Sequence, residues 1–397
     1  MPDHMNDDWS AHFPILREIA FFDHAGVAPI CGPAATALRE YADQAASRAY
    51  VSAGWYARLH EIKQRAADLM GAQSADEISF VANTSTGLNN VAKGLPWREG
   101  DNVVITNVEY PANRYPWQDL ERYGVKLVEV CQWPDGRVDV DDVCEAINDR
   151  TRLVSLSHVQ YASGFRIDLA PIARMVHQAG GYLCVDAIQS LGVLPLNVRE
   201  SGIDFLSADG HKWLLAPEGC GVFYCRHDLI EMLHPALVGW MSMEDHTNYG
   251  DYHFEFARCG RRFEPGSYNV PGALALGAAV DLILDVGVDR IWQRVEQLTA
   301  RLCDGLRAKG YSIFSPRRTA SERSGIVVFS QAEGGADMGR ESAGRTEGDA
   351  VHGPDALVAD LRSKGMHIVV REGRLRVSPH FYNREDQIDQ LLKALPG

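Results

Sequence analysis

The chain of 397 residues lacks a surplus of basic residues: 53 Asp and Glu residues outnumber 39 Lys and Arg residues, and the net charge is −14. A nucleic acid or an anionic membrane surface requires a basic face on its partner, and we find none in this sequence. The sequence also lacks an apolar run of about 18 residues, the minimum for a transmembrane helix. The N-terminal stretch MPDHMNDDWSAHF is acidic, whereas a signal peptide begins basic and continues apolar. We therefore predict a cytoplasmic protein without a nucleic-acid or membrane partner.

Two motifs that would indicate other classes of protein are also absent. The eight cysteines include no CxxC pair, which favours reduced, mostly buried thiols in a reducing compartment over disulfides or a metal site. No GxGxxG motif follows the first predicted strand, which disfavours a nicotinamide-dependent enzyme. The length is sufficient for two domains with a full hydrophobic core.

Short apolar runs alternate with amphipathic stretches between residues 77 and 225. This alternation predicts an α/β fold with a mostly parallel sheet that is covered by helices on both faces. The predicted strands are ISFVA, NVVITNV, KLVEV, RLVSLSHV, YLCVDA, DFLSA and GVFYC.

The C-terminal third has a different pattern, in which two long helix patterns precede several strands and one shorter helix. This order predicts a smaller α+β domain. We expect a large domain over residues 28–275 and a small domain formed by residues 1–27 and 276–397. Residues 331–353 are rich in Gly, Glu and Ser without periodicity, and we expect a flexible surface insertion there.

Polar residues follow several of the predicted strands, and α/β proteins bind ligands at the carboxyl ends of parallel strands. Thr84 and Ser85 begin a helix pattern after ISFVA, where they would hold a phosphate group or form an ordinary N-cap. Asp186 stands at the end of YLCVDA, where a buried carboxylate needs a cationic partner or several donors. A protonated pyridine nitrogen would supply the cation, and a helix cap or a salt bridge within the domain is the alternative. Tyr110, after NVVITNV, is either a stacking surface for a planar cofactor or a core aromatic residue.

Lys212 follows the strand DFLSA within the stretch ADGHKW, among apolar neighbours. Poor hydration at such a position favours the neutral amine, which is a nucleophile. We predict a pocket for pyridoxal 5'-phosphate (PLP) held as a Schiff base. The prediction combines this lysine with a phosphate seat (the hydroxyls and N–H groups at Thr84 and Ser85), the carboxylate of Asp186 and the ring of Tyr110. In this interpretation Lys212 forms the covalent bond and later moves the α-proton, while Asp186 keeps the ring nitrogen protonated.

Six motifs in order carry a resemblance to a known family: FVANTSTGLNNVA, VEYPANRYPWQ, SLSHVQYASG, VDAIQSLG, ADGHKWLLAPEG and RRFEPGSYN. In these motifs the chain resembles the class V aminotransferases of PLP fold type I, a group that includes cysteine desulfurases and isopenicillin N epimerase-like enzymes. The resemblance extends from FFDHAGVAP at Phe21 to LRVSPHFYNREDQID near the C-terminus. It implies PLP as cofactor, a small amino acid or amine as substrate, and a homodimer.

The resemblance also implies a role for each matching residue. Arg376 matches the arginine that binds the substrate's α-carboxylate, a task that suits a bidentate guanidinium. Ser267 matches a hydroxyl that reaches the phosphate of the neighbouring subunit. The remaining matches are Lys212 as the Schiff-base lysine, Asp186 as the partner of the pyridine nitrogen, Gln189 as the donor to the phenolic oxygen, and Thr84, Ser85 and His211 as phosphate-binding residues.

The chain departs from the desulfurase pattern at three places. Tyr110 replaces a histidine, which keeps a stacking ring but removes a basic nitrogen. Asp209 replaces a phosphate-binding serine, and we expect its carboxylate to point away from a phosphate or to bond a neighbour. The segment HIVVREGRLRVSP, which leads to Arg376, contains no cysteine where desulfurases carry their nucleophile. Desulfurase activity through an enzyme thiolate is therefore disfavoured.

The resemblance favours a PLP-dependent aminotransferase of class V type. A PLP-dependent lyase or epimerase is the alternative, because the same cofactor chemistry serves all three reactions and one sequence does not reveal which bond is broken. A non-catalytic PLP sensor would be expected to carry an appended effector module, and every segment here belongs to one catalytic-type fold.

Overall fold

The computed structural model describes residues 9–51, 53–331 and 353–396. The strands are β1 (Ala20–Phe21), β2 (Ile78–Val81), β3 (Asn102–Thr106), β4 (Lys126–Val130), β5 (Thr151–Ser157), β6 (Tyr182–Asp186), β7 (Phe205–Asp209), β8 (Gly221–Cys225), β9 (Tyr311–Ile313), β10 (Val327–Gln331), β11 (Met366–His367), β12 (Val369–Arg371) and β13 (Arg374–Val377). The helices are α1 (Gly32–Arg48), α2 (Trp55–Met70), α3 (Thr84–Gly94), α4 (Tyr115–Gln118), α5 (Val140–Ala146), α6 (Leu169–Gln178), α7 (Val270–Val286), α8 (Val288–Ala308), α9 (Pro354–Ser363) and α10 (Glu385–Ala394).

A seven-stranded sheet in the order β2-β8-β7-β6-β5-β3-β4 dominates the fold. Its neighbouring strands run parallel except at β8, which is antiparallel to both β2 and β7. The mostly parallel α/β sheet predicted from the sequence is confirmed. Strands β3, β7 and β8 are buried along their whole length, which explains their continuous apolar sequences.

The seven-stranded sheet separates two hydrophobic cores. Successive side chains of a strand point to opposite faces of its sheet. Val103, Ile105 and Leu153 accordingly belong to the core that α3 covers, together with residues such as Val91. Val104 belongs to the core on the opposite face. Both faces are therefore covered, as a sheet with parallel strands requires.

A second, antiparallel sheet of four strands, in the order β12-β13-β10-β9, is formed by the C-terminal third. Leu302 of α8 and Ile388 of α10 pack in one core with Phe329 and Val377 of this sheet. The helices and strands predicted in this third are present. Strands β12 and β13 form a hairpin, and its turn contains Glu372 with φ of +49°.

The N-terminal segment pairs with the C-terminal third. Ala20 of β1 is the parallel partner of Met366 in β11, and Asp23 forms an isolated parallel bridge with Ser378. This pairing places Asp23 next to the end of β13. The expected insertion over residues 331–353 falls almost entirely outside the described residues, since only its first and last residues, Gln331 and Gly353, are described.

Within the described residues, no single helix is long and apolar enough to cross a membrane; α7 and α8 pass such a test only as a pair, and they are bent by 78°. All eight cysteines are free thiols, and five of them are buried.

Candidate active site

A cavity of about 470 Å³ lies where β6 and β7 end and α3 begins. The hairpin β12–β13 and the N-terminal segment complete its wall. It contains eight of the nine residues that the sequence predicts for a site: Thr84, Ser85, Tyr110, Asp186, Gln189, His211, Lys212 and Arg376.

Lys212 lies three residues beyond the last residue of β7, with its side chain partly exposed in this cavity. Burial lowers the pKa of Lys212 to about 8, although the carboxylate of Asp186 acts in the opposite direction. Leu215, at the end of the same turn, has a φ of +58°, a left-handed conformation that an L-residue adopts at an energetic cost. The turn thus presents an amine that is partly neutral at mildly basic pH, which is what a nucleophilic lysine requires.

Asp186 is the last residue of β6 and is buried. Its Oδ1 accepts a hydrogen bond of 3.0 Å from the backbone N–H of Ile188. Burial raises the pKa of Asp186 to about 7, and the charge of Glu109 adds to the rise. A cation brought next to this carboxyl would ionise it and remove the cost of its burial. The protonated nitrogen of a pyridine ring is such a cation, so Asp186 fits the predicted cofactor.

Glu109 is a buried carboxylate that the sequence interpretation assigned no role. It accepts hydrogen bonds from the side chains of four residues on β3, on β5 and in the following loops: Thr106, Asn113, Ser157 and Gln160. The backbone N–H of Ser157 also donates to it. Within the described part of the chain Glu109 has no cationic partner, so these hydrogen bonds alone satisfy its carboxylate. The network joins Glu109 to residues up to 51 positions away in the chain, so no local sequence pattern predicts it.

The residues predicted to bind a phosphate group, Thr84 and Ser85, lie at the N-terminus of α3. Asn83 is the N-cap, and its side chain accepts a hydrogen bond of 2.9 Å from the backbone N–H of Thr86. The capping task therefore falls to Asn83 and not to Thr84 or Ser85. A Cβ atom on Gly87 would lie 2.1 Å from Oγ of Ser207, so only glycine lets α3 approach β7 this closely. Backbone N–H groups and hydroxyls at a helix start fit a phosphate group.

Asp209 bonds its neighbours, as expected for a carboxylate beside a phosphate seat. Its Oδ1 accepts a hydrogen bond of 2.7 Å from the N–H of Gly210, and its Oδ2 lies 2.9 Å from Nδ1 of His211. Its backbone N–H donates to Oγ1 of Thr84 over 3.1 Å. Glu218 adds a second acidic side chain to the wall of the cavity. The carboxylates of Asp209 and Glu218 therefore lie near the predicted phosphate site, where they would weaken the binding of an anion.

Gln189 and Tyr110 lie on the remaining sides of the predicted ring site. The Gln189 amide donates to the carbonyl of Ala25 over 3.0 Å and accepts from the Trp213 indole over 2.9 Å. One of its N–H bonds stays available as a donor to a ligand. The ring of Tyr110 is 47 % exposed, and its centre lies 5.6 Å from Nζ of Lys212. Both placements suit the roles implied by the family resemblance.

Arg376 is 2 % exposed and forms a buried ion pair with Asp23, in which Nη2 lies 2.8 Å from Oδ1. Its Nη1 donates to the backbone carbonyl of Tyr161 over 3.2 Å. The sequence interpretation missed Asp23, although the residue lies within the quoted motif FFDHAGVAP. It also missed Tyr161, whose hydroxyl donates to Glu372 over 2.7 Å and whose ring packs edge-on against Tyr110.

Ser267 lies apart from this cavity. It lines a different cavity of about 660 Å³, together with residues such as Tyr56, Trp240 and Tyr249. Within one chain, the structure therefore does not bring Ser267 to the other predicted residues. The neighbouring Arg261 donates to the backbone carbonyls of residues 241, 243 and 244, a structural task.

Among the described residues, no group of three or more His, Cys, Asp or Glu could hold a metal ion.

Comparison with known proteins gives a consistent result. A family model described as "Aminotransferase class-V" matches residues 20–391. A relative from Methanothermobacter thermautotrophicus, named "Probable cysteine desulfurase", is 30 % identical over 403 residues, covering 98 % of this chain and 97 % of the relative. The apo structure of a cysteine desulfurase from Thermococcus onnurineus superposes with a TM-score of 0.85 at 26 % identity, covering 98 % of this chain and 96 % of the other. A cystine C–S lyase, solved with its product cysteine persulfide, has the same fold, with a TM-score of 0.83 at 24 % identity and coverage of 97 % and 100 %.

Proposed function

The chain belongs to the class-V aminotransferase family, and we propose that it is an aminotransferase acting on an α-amino acid or a related amine. Its cofactor is pyridoxal 5'-phosphate. The observation that carries the proposal is the presence of Lys212, Asp186 and Arg376 in one cavity. These residues supply a nucleophilic amine, an anion for a ring nitrogen and a cation for a carboxylate.

Residues of the described cavity would hold the cofactor by its three polar ends. Thr84, Ser85 and His211 would bind the phosphate, and Asp186 would pair with the ring nitrogen. Gln189 would donate to the phenolic oxygen through its free N–H bond. When bound, the cofactor supplies an aldehyde that reacts with amines and a protonated ring that withdraws electrons from the substrate's α-carbon.

Lys212 would serve first as the attachment point and then as the acid and base. Once a substrate amine has displaced it, its Nζ would be free to take the proton from the α-carbon and to return it elsewhere. The lowered pKa of Lys212, about 8, supports this task because both protonation states are then accessible near neutral pH. Asp186 would stay ionised beside the ring nitrogen and hold the proton there. Arg376 would orient the substrate through its carboxylate.

A lyase that eliminates a β-substituent is the second candidate. The structural similarity to a cystine C–S lyase over the whole chain favours it, as do the relatives named cysteine desulfurase. A desulfurase mechanism that uses an enzyme thiolate is disfavoured, because residues 366–376 contain no cysteine. The hairpin β12–β13 occupies that place in the chain, and its Arg371 lines the cavity.

One experiment separates the two candidates. The PLP-loaded enzyme is mixed with a panel of amino acids, including cysteine and cystine, with and without a 2-keto acid as amino-group acceptor. An aminotransferase forms a new amino acid only when the acceptor is present. Release of pyruvate or ammonia without an acceptor would replace the aminotransferase by the lyase, and no reaction or spectral change with any amine would contradict both.

We also propose that the chain forms a homodimer in which Ser267 reaches the phosphate in the partner's cavity. Exposed aromatic side chains that line the same cavity as Ser267 support an interface on this side: Tyr56, Trp240 and Tyr249. Mixed dimers test the arrangement. A dimer of one Lys212→Ala subunit and one Ser267→Ala subunit keeps one complete site only if Ser267 acts across the interface, whereas a monomer by sedimentation contradicts it.

A further inference from the structure

The Asp23–Arg376 pair occupies the wall of the cavity where a substrate carboxylate is proposed to bind. Asp23 is 6 % exposed and Arg376 is 2 % exposed, so both charges are removed from water. A buried guanidinium is stable only with acceptors for its N–H groups and a compensating charge. Asp23 supplies the charge, and the carbonyl of Tyr161 supplies a further acceptor.

The two acceptors use two of the three nitrogens of the Arg376 guanidinium. Nη2 donates to Asp23 and Nη1 donates to Tyr161, whereas the buried Nε has no hydrogen-bond partner within the described residues. A guanidinium is planar and rigid, so two acceptors on different nitrogens fix the orientation of the whole group. A buried N–H without an acceptor is costly, and this cost is removed when a ligand accepts from it.

The chain holds the Asp23 carboxylate in place from both sides. Asp23 is the bridge partner of Ser378, two residues beyond Arg376, and Oγ of Ser378 accepts from the backbone N–H of Ala25 over 3.0 Å. Gly26 lies directly against the carboxylate, because a Cβ atom there would be 2.3 Å from Oδ2 of Asp23. The segment 23–26 therefore positions this carboxylate through its backbone.

We propose that Asp23 is a positioning residue that orients Arg376 so that its Nε–H group binds the α-carboxylate of the substrate. The inference rests on the proposed function, since it requires a substrate that is an amino acid. Through Arg376, Asp23 would favour the binding of an amino acid over that of the amine with the same side chain and no carboxylate. The negative charge of Asp23 also favours the protonated form of Lys212, opposite to the charge of Arg376.

The test compares an amino acid with the amine that lacks its carboxylate. Alanine and ethylamine serve as the first pair, and any amino acid preferred in the panel forms the second pair with its own amine. The PLP-loaded wild type, Asp23→Ala and Asp23→Asn are titrated with each ligand, and dissociation constants are read from the absorbance of the cofactor. The variant Asp389→Ala is the matched control, because it removes an exposed aspartate that pairs with Arg301 far from the cavity.

We expect the dissociation constant of the amino acid to rise at least about tenfold in Asp23→Ala, with the amine unchanged within about twofold. Asp23→Asn should bind the amino acid more tightly than Asp23→Ala, because its side-chain oxygen still accepts from Nη2 although the compensating charge is lost. The same ratios should appear in KM, with kcat affected less. If Asp23→Ala does not fold, Asp23→Ser takes its place, since a serine hydroxyl is too short to reach Nη2.

Three results would overturn the inference. Equal weakening of the amino acid and the amine in Asp23→Ala would indicate a general structural role. Unchanged or tighter amino-acid binding would show that Asp23 does not help Arg376. Equal losses in Asp23→Asn and Asp23→Ala would show that the hydrogen bond does not orient the guanidinium. A wild type that responds to no amino acid would overturn the proposed function as well, which distinguishes that failure from the other three.

Discussion

The two walls of the cavity are built in different ways. The wall proposed to hold the cofactor, here called the cofactor wall, comes from the seven-stranded sheet, where Asp186 and Asp209 end two adjacent strands and Thr84 starts the helix beside them. The wall proposed to bind the substrate, here called the substrate wall, joins residues far apart in the chain: Asp23 and Arg376 are separated by 353 positions, and Tyr161 and Arg376 by 215. One wall is built within a single sheet, and the other where the two larger sheets meet the N-terminal segment that pairs with β11.

This difference indicates how the site can change its chemistry. Two strands of one sheet and the helix beside them hold Asp186, Asp209 and Thr84 of the cofactor wall, so we expect a substitution there to remove a group without moving its neighbours. The substrate wall depends on a few hydrogen bonds, so a single substitution there shifts the guanidinium relative to the ligand. We therefore expect changes in the cofactor wall to affect every substrate equally. Changes in the substrate wall should affect amino acids and spare amines.

The largest effect is expected for Lys212→Ala in the cofactor wall. The variant loses both the attachment point and the proton carrier, and its activity should fall by about a thousandfold or more with every substrate. The cofactor absorbance should shift to that of free PLP, and borohydride should add no cofactor mass to the protein. Lys364→Ala is the control, since it removes an exposed lysine paired with Asp360. An unchanged cofactor band in Lys212→Ala would contradict the assignment.

Asp186→Asn tests the buried charge of the cofactor wall through stability. In the PLP-free protein the pKa of Asp186 is about 7, above its usual value near 4. The unfolded chain therefore loses this proton first, and stability falls as the pH rises from about 4 to about 7. The Asn variant does not ionise and lacks this decrease.

Urea unfolding of the two PLP-free proteins checks this sign. The stability of Asp186→Asn relative to the wild type should increase by up to about 4 kcal/mol between about pH 4 and about pH 7. In the PLP-loaded proteins at neutral pH, the wild type should be more stable than Asp186→Asn, because the ring cation then stabilises the ionised carboxylate. Parallel pH profiles of the PLP-free proteins would show that burial does not shift the pKa of Asp186.

The same division explains what could be predicted from the sequence. Apolar runs that alternate with helix patterns predict the sheet, and Asp186 and Lys212 are found because each follows its own strand. The pair of Asp23 with Arg376 forms only when β1 pairs with β11, which no local pattern indicates. Ser267 lies outside the cavity of its own chain, so its role depends on a partner that only the resemblance implies.

Gly26→Ala tests the substrate wall by a steric route. A methyl group at this position would lie 2.3 Å from Oδ2 of Asp23, so we expect the carboxylate to shift from the position in which it accepts from Arg376. We expect amino-acid binding to weaken about fivefold, with amine binding unchanged, which is a milder form of the Asp23→Ala effect. Gly250→Ala is the matched control, because a Cβ atom there meets no neighbour within 4 Å in the described structure. Equal loss of both ligands would mean that the methyl group disturbs the whole cavity.

Asp209→Ser should have the smallest effect and the opposite sign. It removes a carboxylate beside the phosphate seat and adds a hydroxyl that can donate to the phosphate. We expect the dissociation constant of PLP, measured by equilibrium dialysis, to fall about threefold. Pyridoxal, which lacks the phosphate, should bind equally to both proteins. Weaker PLP binding would instead show that the approach of Asp209 to His211, at 2.9 Å, holds the imidazole for the phosphate, and the acidic group would then belong to the seat as a supporting residue.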